Sequence, residues 1–262
     1  MLTYKYLGRR GRLGNQMFQY ATLYSVAKTN GYDYGIPYHT KSEDDYMDMC
    51  LLDCFKNISA KNCQLVMPKK QIQEQNNLFM PSLMQIEDDT DIFGYFQTEK
   101  YFKQFKKELL HEFTFKDEIL NKVKSLKNQI KSEIISVHMR FGDYEMFTDV
   151  YPRPTEQYYL EAFAPLPKNA NIILFSDNLD KASKFFNKLN KKFIIFEGLT
   201  KYQDMCFMSL CDYHILANSS FSWWGAWLSN SKKVIAPKNW YGPSSNAPKQ
   251  WHDIYCEGWE LV

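Results

Sequence analysis

From Ile134 onward, apolar runs alternate with amphipathic stretches in a steady rhythm. The runs predict strands at Ile134–Met139, Ile172–Ser176, Phe193–Phe196, Tyr213–Ala217 and Val234–Ala236. Between them the spacing predicts helices at Thr155–Phe163, Leu179–Leu189, Tyr202–Leu210 and Ser220–Ser229. Such alternation implies βαβ units and a parallel sheet, hence the α/β class. Before Ile134 the pattern is less regular. Strands are expected at Leu2–Leu7, Asp33–Pro37 and Ile92–Gln97. Gln16, Tyr20, Tyr24 and Ala27 recur at helical spacing within Gly14–Asn30, and Gly31 is placed to end that helix. A helix capped by Thr98 would run through His111 on a stripe of Tyr101, Phe102, Phe105 and Leu109, and another fits Asp117–Ile130. Between residues 38 and 90 the periodicity fades into long loops around short elements, punctuated by Pro68 and Pro81. The charged stretch Lys127–Glu133 is the natural boundary, giving domains 1–130 and 131–262, with the last residues able to pack back on the first.

Composition narrows the class without naming a function. The 262 residues are 45% hydrophobic and 24% charged, with 11 Gly and 10 Pro, which excludes disordered and fibrous classes. Lys plus Arg number 32 against 30 Asp plus Glu, too even to argue for a nucleic-acid surface. No apolar run approaches the roughly 18 residues needed to span a bilayer. No export signal opens the chain, so a cytoplasmic location is expected, with peripheral contact at the inner face of a membrane left open. The six cysteines are irregularly spaced and read as free, mostly buried thiols. The five histidines, His39, His111, His138, His214 and His252, lack metal-ligand spacing.

The chemistry lies in three motifs at predicted strand ends. In Gly11-Arg12-Leu13-Gly14-Asn15-Gln16, two glycines straddle a strand-to-helix junction, and the helix start suits an anion. Asn15 and Gln16 add amides that could bond polar ligand groups; the alternative is a plain turn. In His138-Met139-Arg140-Phe141-Gly142-Asp143-Tyr144, one strand delivers His138 and Arg140 on the same face at its carboxyl end. Arg140 offers a planar fork to phosphate oxygens, and a structural Arg140–Asp143 pair explains the same residues. In Asn218-Ser219-Ser220-Phe221-Ser222-Trp223-Trp224, a strand ends at a hydroxyl-rich helix N-terminus, either an anion site or an ordinary cap. Asp177, after Phe175-Ser176, could accept from a nucleotide base or ribose, or cap the next helix.

Together these residues resemble the family 11 glycosyltransferases, the α-1,2-fucosyltransferases. The resemblance rests on Gly11–Ala21, Gly94–Phe102, His138–Tyr144 and Ala217–Leu228, four blocks in the family's order. It implies a GT-B fold, two facing Rossmann-like domains with a cleft between them. It further implies inverting transfer of L-fucose from GDP-β-L-fucose to the 2-hydroxyl of a terminal β-galactoside, with no cofactor and no metal. The partners implied are GDP-fucose and an oligosaccharide or glycolipid acceptor ending in galactose. By the same analogy Arg140 would grip the β-phosphate, with His138 near the nucleotide. Asp177 would lie near guanine or ribose, and Asn218, Ser219 and Ser220 near the pyrophosphate. Arg12, Gly14, Asn15 and Gln16 would line the cleft from the opposite domain.

One departure from the family block matters: Phe141 stands where a second arginine is common, so Arg140 would need help from helix N-termini or from Arg12. Asp143, with Glu145 or Asp149 behind it, is the expected proton acceptor. Asp89-Thr90-Asp91 matches the Asp-x-Asp pattern of metal-dependent glycosyltransferases, but precedes its predicted strand instead of following one. Two alternatives stay open: another GDP-sugar or acceptor hydroxyl, and a non-catalytic carbohydrate-binding protein suggested by the 16% aromatic content.

Overall fold

The computed structural model describes residues 1–38, 48–244 and 247–262, so His39 lies outside the described residues. The chain divides into two units. The first comprises Met1–Lys116 with Gln250–Cys256, the second Asp117–Lys249 with Glu257–Val262. The division falls at 116/117 instead of near 130 because the helix Asp117–Lys127 belongs to the second unit, where it buries Ile119 and Val123.

In the first unit, strands β1 (Leu2–Thr3), β2 (Tyr34–Ile36), β3 (Lys61–Asn62), β4 (Lys70–Gln73) and β5 (Thr90–Phe93) form one parallel sheet, ordered β3-β2-β1-β5-β4. Helix α1 (Leu13–Asn30) is buried almost all round from Leu13 to Ala27, its polar Gln16, Gln19, Thr22 and Ser25 included. Gly31, at φ +72°, ends it with its N–H on the carbonyls of Ala27 and Lys28. Helix α2 (Cys50–Cys54) is short. The expected helix from Thr98 to His111 is broken. Two single 3₁₀ turns precede helix α3 (Lys106–Glu112), because Phe102 at φ −136°, ψ 0° leaves helical geometry. Asp91 of the Asp-x-Asp tripeptide accepts from Thr3 Oγ1 (2.8 Å), Lys5 N (2.9 Å) and Gln71 Nε2 (2.9 Å). Its carboxylate is a bracket across three strands, and Asp89 pairs with Lys69 at 3.1 Å.

The second unit opens with helix α4 (Asp117–Lys127) and strand β6 (Ile134–Met139), whose six residues are all buried. Such a continuous apolar strand belongs in the middle of a covered parallel sheet. Helix α5 (Glu156–Phe163), strand β7 (Asn171–Ser176), helix α6 (Leu179–Lys188), helix α7 (Lys201–Met208), strand β8 (Tyr213–Ile215), helix α8 (Ser220–Trp227) and strand β9 (Lys233–Ala236) follow. Strand β10 (Glu260–Leu261) completes the parallel order β10-β9-β8-β6-β7. The sequence pattern did not reveal β10, whose two residues are exposed and carry no alternation to read. Phe193–Phe196 forms no strand either. A single bridge joins Ile194 to Ile173, and the chain then leaves the sheet edge. All six cysteines are free and buried. Among the described residues, no helix is long and apolar enough to cross a membrane.

Candidate functional site

Two of the three predicted motifs, together with Asp177, converge in the second unit because β6, β7 and β8 run parallel and so end at one sheet edge. Arg140 leaves the end of β6 with 15% of its side chain exposed, held between two carboxylates. Its Nη2 meets Asp143 Oδ1 at 2.5 Å, and its Nη1 meets Asp177 Oδ2 at 2.8 Å. The other oxygen of Asp177 accepts from the Phe141 backbone N–H at 2.9 Å. Asp177 therefore belongs to Arg140 and the β6–β7 junction, and Asn178 caps α6 in its place, its side chain accepting from Lys181 N. Gly142, at φ +35°, makes room for this cluster. A Cβ there would stand 2.6 Å from Asp177 Oδ2.

Tyr144 closes the cluster. The Arg140 guanidinium lies 5.4 Å from its ring centre, and the ring stacks on Tyr151 at 4.4 Å. Its hydroxyl donates to the Asn218 carbonyl at 3.1 Å, joining the second motif to the third, and burial raises its pKa. Asn218 in turn donates from Nδ2 to the Trp240 carbonyl at 3.0 Å. Ser219 is the N-cap of α8, accepting from Phe221 N at 3.3 Å. Ser220 opens that helix half-buried, its hydroxyl without a partner among the described residues.

His138 is buried, with its ring 5.7 Å from Phe221 and its Nδ1 without a partner among the described residues. Burial, reinforced by Arg140, pushes its pKa down to about 3. The imidazole is therefore neutral near pH 7 and offers a hydrogen bond, not a charge.

Phe141, where the family often has an arginine, is 4% exposed and joins the core of the second sheet. Two cations lie over its ring: the Arg153 guanidinium at 5.5 Å and Lys181 Nζ at 6.0 Å. Both pair with Glu145, at 3.5 and 2.5 Å. Sequence reasoning missed Arg153 and Lys181, which lie outside every motif and reach Phe141 only through the fold. Asp149, offered as a backing carboxylate, is instead a loop residue whose backbone carbonyl accepts from Ser244 N at 3.2 Å.

In the first unit, Gly11 at φ +84° turns the chain into α1, and Arg12 is the N-cap position. Gly14 is buried in the first turn. Asn15 accepts from Gln97 Nε2 at 2.9 Å, tying the first block to the Gly94–Phe102 block. Gln16 donates to the carbonyls of Gly11 (3.1 Å) and Asp48 (2.7 Å), so its amide nitrogen is spent on loop backbone. Phe96 in the second block is left-handed, at φ +52°. Glu74 holds this strained turn by accepting from Tyr95 N (2.7 Å) and Phe96 N (3.0 Å). Among the described residues, no group of three His, Cys, Asp or Glu could hold a metal ion.

With this geometry in view, the relatives can be set beside it. The chain is 32% identical over 265 aligned positions to an α-1,2-colitosyltransferase of Escherichia coli, covering 88% of this chain and 90% of that protein. It is 24% identical to the galactoside 2-α-L-fucosyltransferase SEC1 of Bos taurus, covering 86% of this chain but 65% of the longer bovine protein. Among solved structures it resembles the NodZ α-1,6-fucosyltransferase soaked with GDP-fucose, at a TM-score of 0.59 and 14% identity, over 91% of this chain and 94% of that one. That likeness shows the fold, which is of the GT-B type. The sequence profile of glycosyl transferase family 11 matches residues 6–262, and the chain belongs to that family.

Proposed function

We propose that this glycosyltransferase moves L-fucose from GDP-β-L-fucose to the 2-hydroxyl of a terminal β-galactoside, with inversion and without a metal. The observation that carries this reading is the Arg140 guanidinium, aimed by two carboxylates at the edge where the β6, β7 and α8 motifs meet. The relatives, an α-1,2-colitosyltransferase and a galactoside 2-α-L-fucosyltransferase, support the sugar class.

In the proposed reaction the acceptor hydroxyl attacks the anomeric carbon in line while GDP departs, so negative charge builds on the β-phosphate. Preorganised donors at that position lower the barrier. Arg140 is the proposed β-phosphate donor. Arg140, Arg153 and Lys181 stand against Asp143, Asp177 and Glu145, so the side-chain cluster has no net charge. Surplus positive potential would come from the N–H groups at the start of α8, with Ser219 and Ser220 beside them. His138, neutral, would donate a hydrogen bond to the nucleotide. Asp143, whose first partner is Arg140, is proposed as a positioning group that also receives the acceptor proton late, when the attacking oxygen has become acidic. In the first unit, Arg12 is the proposed ligand-facing cation, while Asn15 and Gln16 fix the loop around Gly11.

A second reading concerns only the donor. Colitose is fucose without its 3-hydroxyl, and the bacterial colitosyltransferase shares 32% of its aligned positions with this chain. GDP release measured with GDP-fucose and with GDP-colitose, across β-galactosides and with or without EDTA, separates these readings. The proposal expects GDP-fucose turnover that EDTA leaves intact. Preferential use of GDP-colitose would change the donor, and loss of activity restored by Mn²⁺ would overturn metal independence. Glycan binding with no GDP release from any donor would make the chain a binding protein.

A further inference from the structure

Next to the Arg140 cluster the second unit contains a recess that the phosphate chemistry leaves unused. It begins at Ser176, one residue before Asp177, and runs under the loop that links α6 to α7. Counting its open mouth, it encloses about 390 Å³. Phe175, Leu179, Phe196 and Leu199 line it, beside Ser176 and Gly198. One carboxylate, that of Asp204, lines it.

Asp204 differs from the acidic residues of the Arg140 cluster. Asp143, Glu145 and Asp177 all pair with cations. No ion pair or side-chain hydrogen bond among the described residues reaches the Asp204 carboxylate. Burial alone raises its pKa to about 7, with no neighbouring charge contributing. Folding keeps it in place nonetheless. It sits in the first turn of α7, whose start is fixed by a capping box: Thr200 Oγ1 accepts from Gln203 N at 3.3 Å, and Gln203 Oε1 accepts from Thr200 N at 2.9 Å. The side chain is half-buried at the wall of the recess, so its carboxylate is open to a hydrogen-bond donor that enters there.

The chemistry of that partner follows from the donor set. An ionised carboxylate only accepts hydrogen bonds, through two parallel oxygens. Among the common nucleobases, guanine alone presents two adjacent donors on one edge, N1–H and the 2-amino group. Adenine and cytosine place a ring-nitrogen acceptor there, and uracil flanks its single N–H with carbonyls. The aromatic rings of Phe175 and Phe196 on the lining suit the faces of a purine. We propose that Asp204 reads the guanine of the donor nucleotide, accepting N1–H and N2–H while Phe175, Leu179, Phe196 and Leu199 enclose the base. This rests on the donor being a GDP-sugar, and it moves base recognition from Asp177, which Arg140 and Phe141 N occupy, to a residue outside every motif.

The test is calorimetric titration of GDP, IDP and XDP into the wild-type protein and into Asp204→Asn, with melting curves confirming the fold. IDP lacks the 2-amino group, and XDP carries an oxygen in its place. The wild type should bind GDP about tenfold or more tighter than IDP, the factor that one charged hydrogen bond of roughly 1.5 kcal/mol supplies. Asp204→Asn should lose that preference and gain affinity for XDP, because its amide offers one donor and one acceptor. A Glu variant, Asp204→Glu, serves if the Asn variant does not fold, and should keep the order GDP over IDP with weakened binding. If the wild type binds GDP and IDP equally, or Asp204→Asn keeps the GDP preference, Asp204 does not read the base. If the wild type binds none of the three, the GDP-sugar reading fails, and this inference falls with it.

Discussion

Arg140 Nη1 donates to Asp177 Oδ2 across 2.8 Å, and that contact ties the end of β6 to the end of β7. The two residues are far apart in sequence, yet neighbouring parallel strands in register, Met139 opposite Ser176, place them side by side. Asp177→Asn keeps the shape but removes the charge that aims the guanidinium. Turnover should fall by roughly tenfold to a hundredfold, in keeping with the loss of a charge-assisted hydrogen bond of about 1.5–3 kcal/mol. GDP affinity should change less. Steady-state kinetics beside a GDP titration checks this split, and an equal loss in both would place Asp177 in ground-state binding.

Arg140→Ala should lower turnover by on the order of 10²–10³ if the side chain meets the departing phosphate. Arg140→Lys retains the charge but cannot bridge Asp143 and Asp177 together, so recovery should be partial. If the guanidinium only braces the turn, both variants would melt early and keep near-normal single-turnover rates in the folded fraction.

Gly142→Ala tests the room around the cluster. Its added Cβ would approach Asp177 Oδ2 to 2.6 Å at a φ of +35°, so the carboxylate must move away from Arg140. Stability should drop by about 1–3 kcal/mol, as for a residue forced into sparsely populated backbone space. Activity should drop with it, and a denaturant melt paired with an assay reads both.

Ser219 and Ser220 should separate cleanly. Ser219→Ala removes the α8 cap and should cost about 1 kcal/mol of stability. Ser220→Ala leaves the cap in place and should weaken GDP binding by roughly 0.5–1.5 kcal/mol with an unchanged melting temperature.

Acid sensitivity follows from two buried histidines. Burial lowers His138 and His214 to about 3 each, while in the unfolded chain a histidine titrates near 6.5. Below pH 6.5 the unfolded chain therefore binds more protons than the folded one, and stability declines as pH falls toward 3. Asp204 acts with the opposite sign. Its raised pKa, about 7, makes its contribution greatest below the usual carboxylate range and lost as pH rises through 7. Melting temperatures from pH 7.5 to 4.5 should fall for the wild type and fall less steeply for His214→Gln, whose side chain does not titrate.

Much of the second unit was legible because its physics is local. β6 was readable as an unbroken apolar run, and spacing placed α5 correctly, with Thr155 as its cap in the structure. His138, Arg140 and Asn218 could be assigned to strand ends because parallel sheets gather ligands there. What escaped notice depends on distant partners. Phe193–Phe196 has strand composition but only one bridge to β7, so tertiary context decided its fate. Arg153 and Lys181 converge on Phe141 from separate elements. Asp204 looks like any acidic residue near a helix start until the recess beside it is seen. In the first unit the irregular path from residue 38 to 90 has few periodic signals, and its short strands take their register from neighbours.

The most direct measurement is the linkage formed when GDP-fucose and a β-galactoside such as lactose are incubated with the protein and the product is analysed by NMR. The account predicts an α-fucosyl anomeric signal with a through-bond correlation to carbon 2 of the terminal galactose. A β-fucosyl product, attachment at another hydroxyl, or no fucosylated product while a different GDP-sugar is consumed would contradict it.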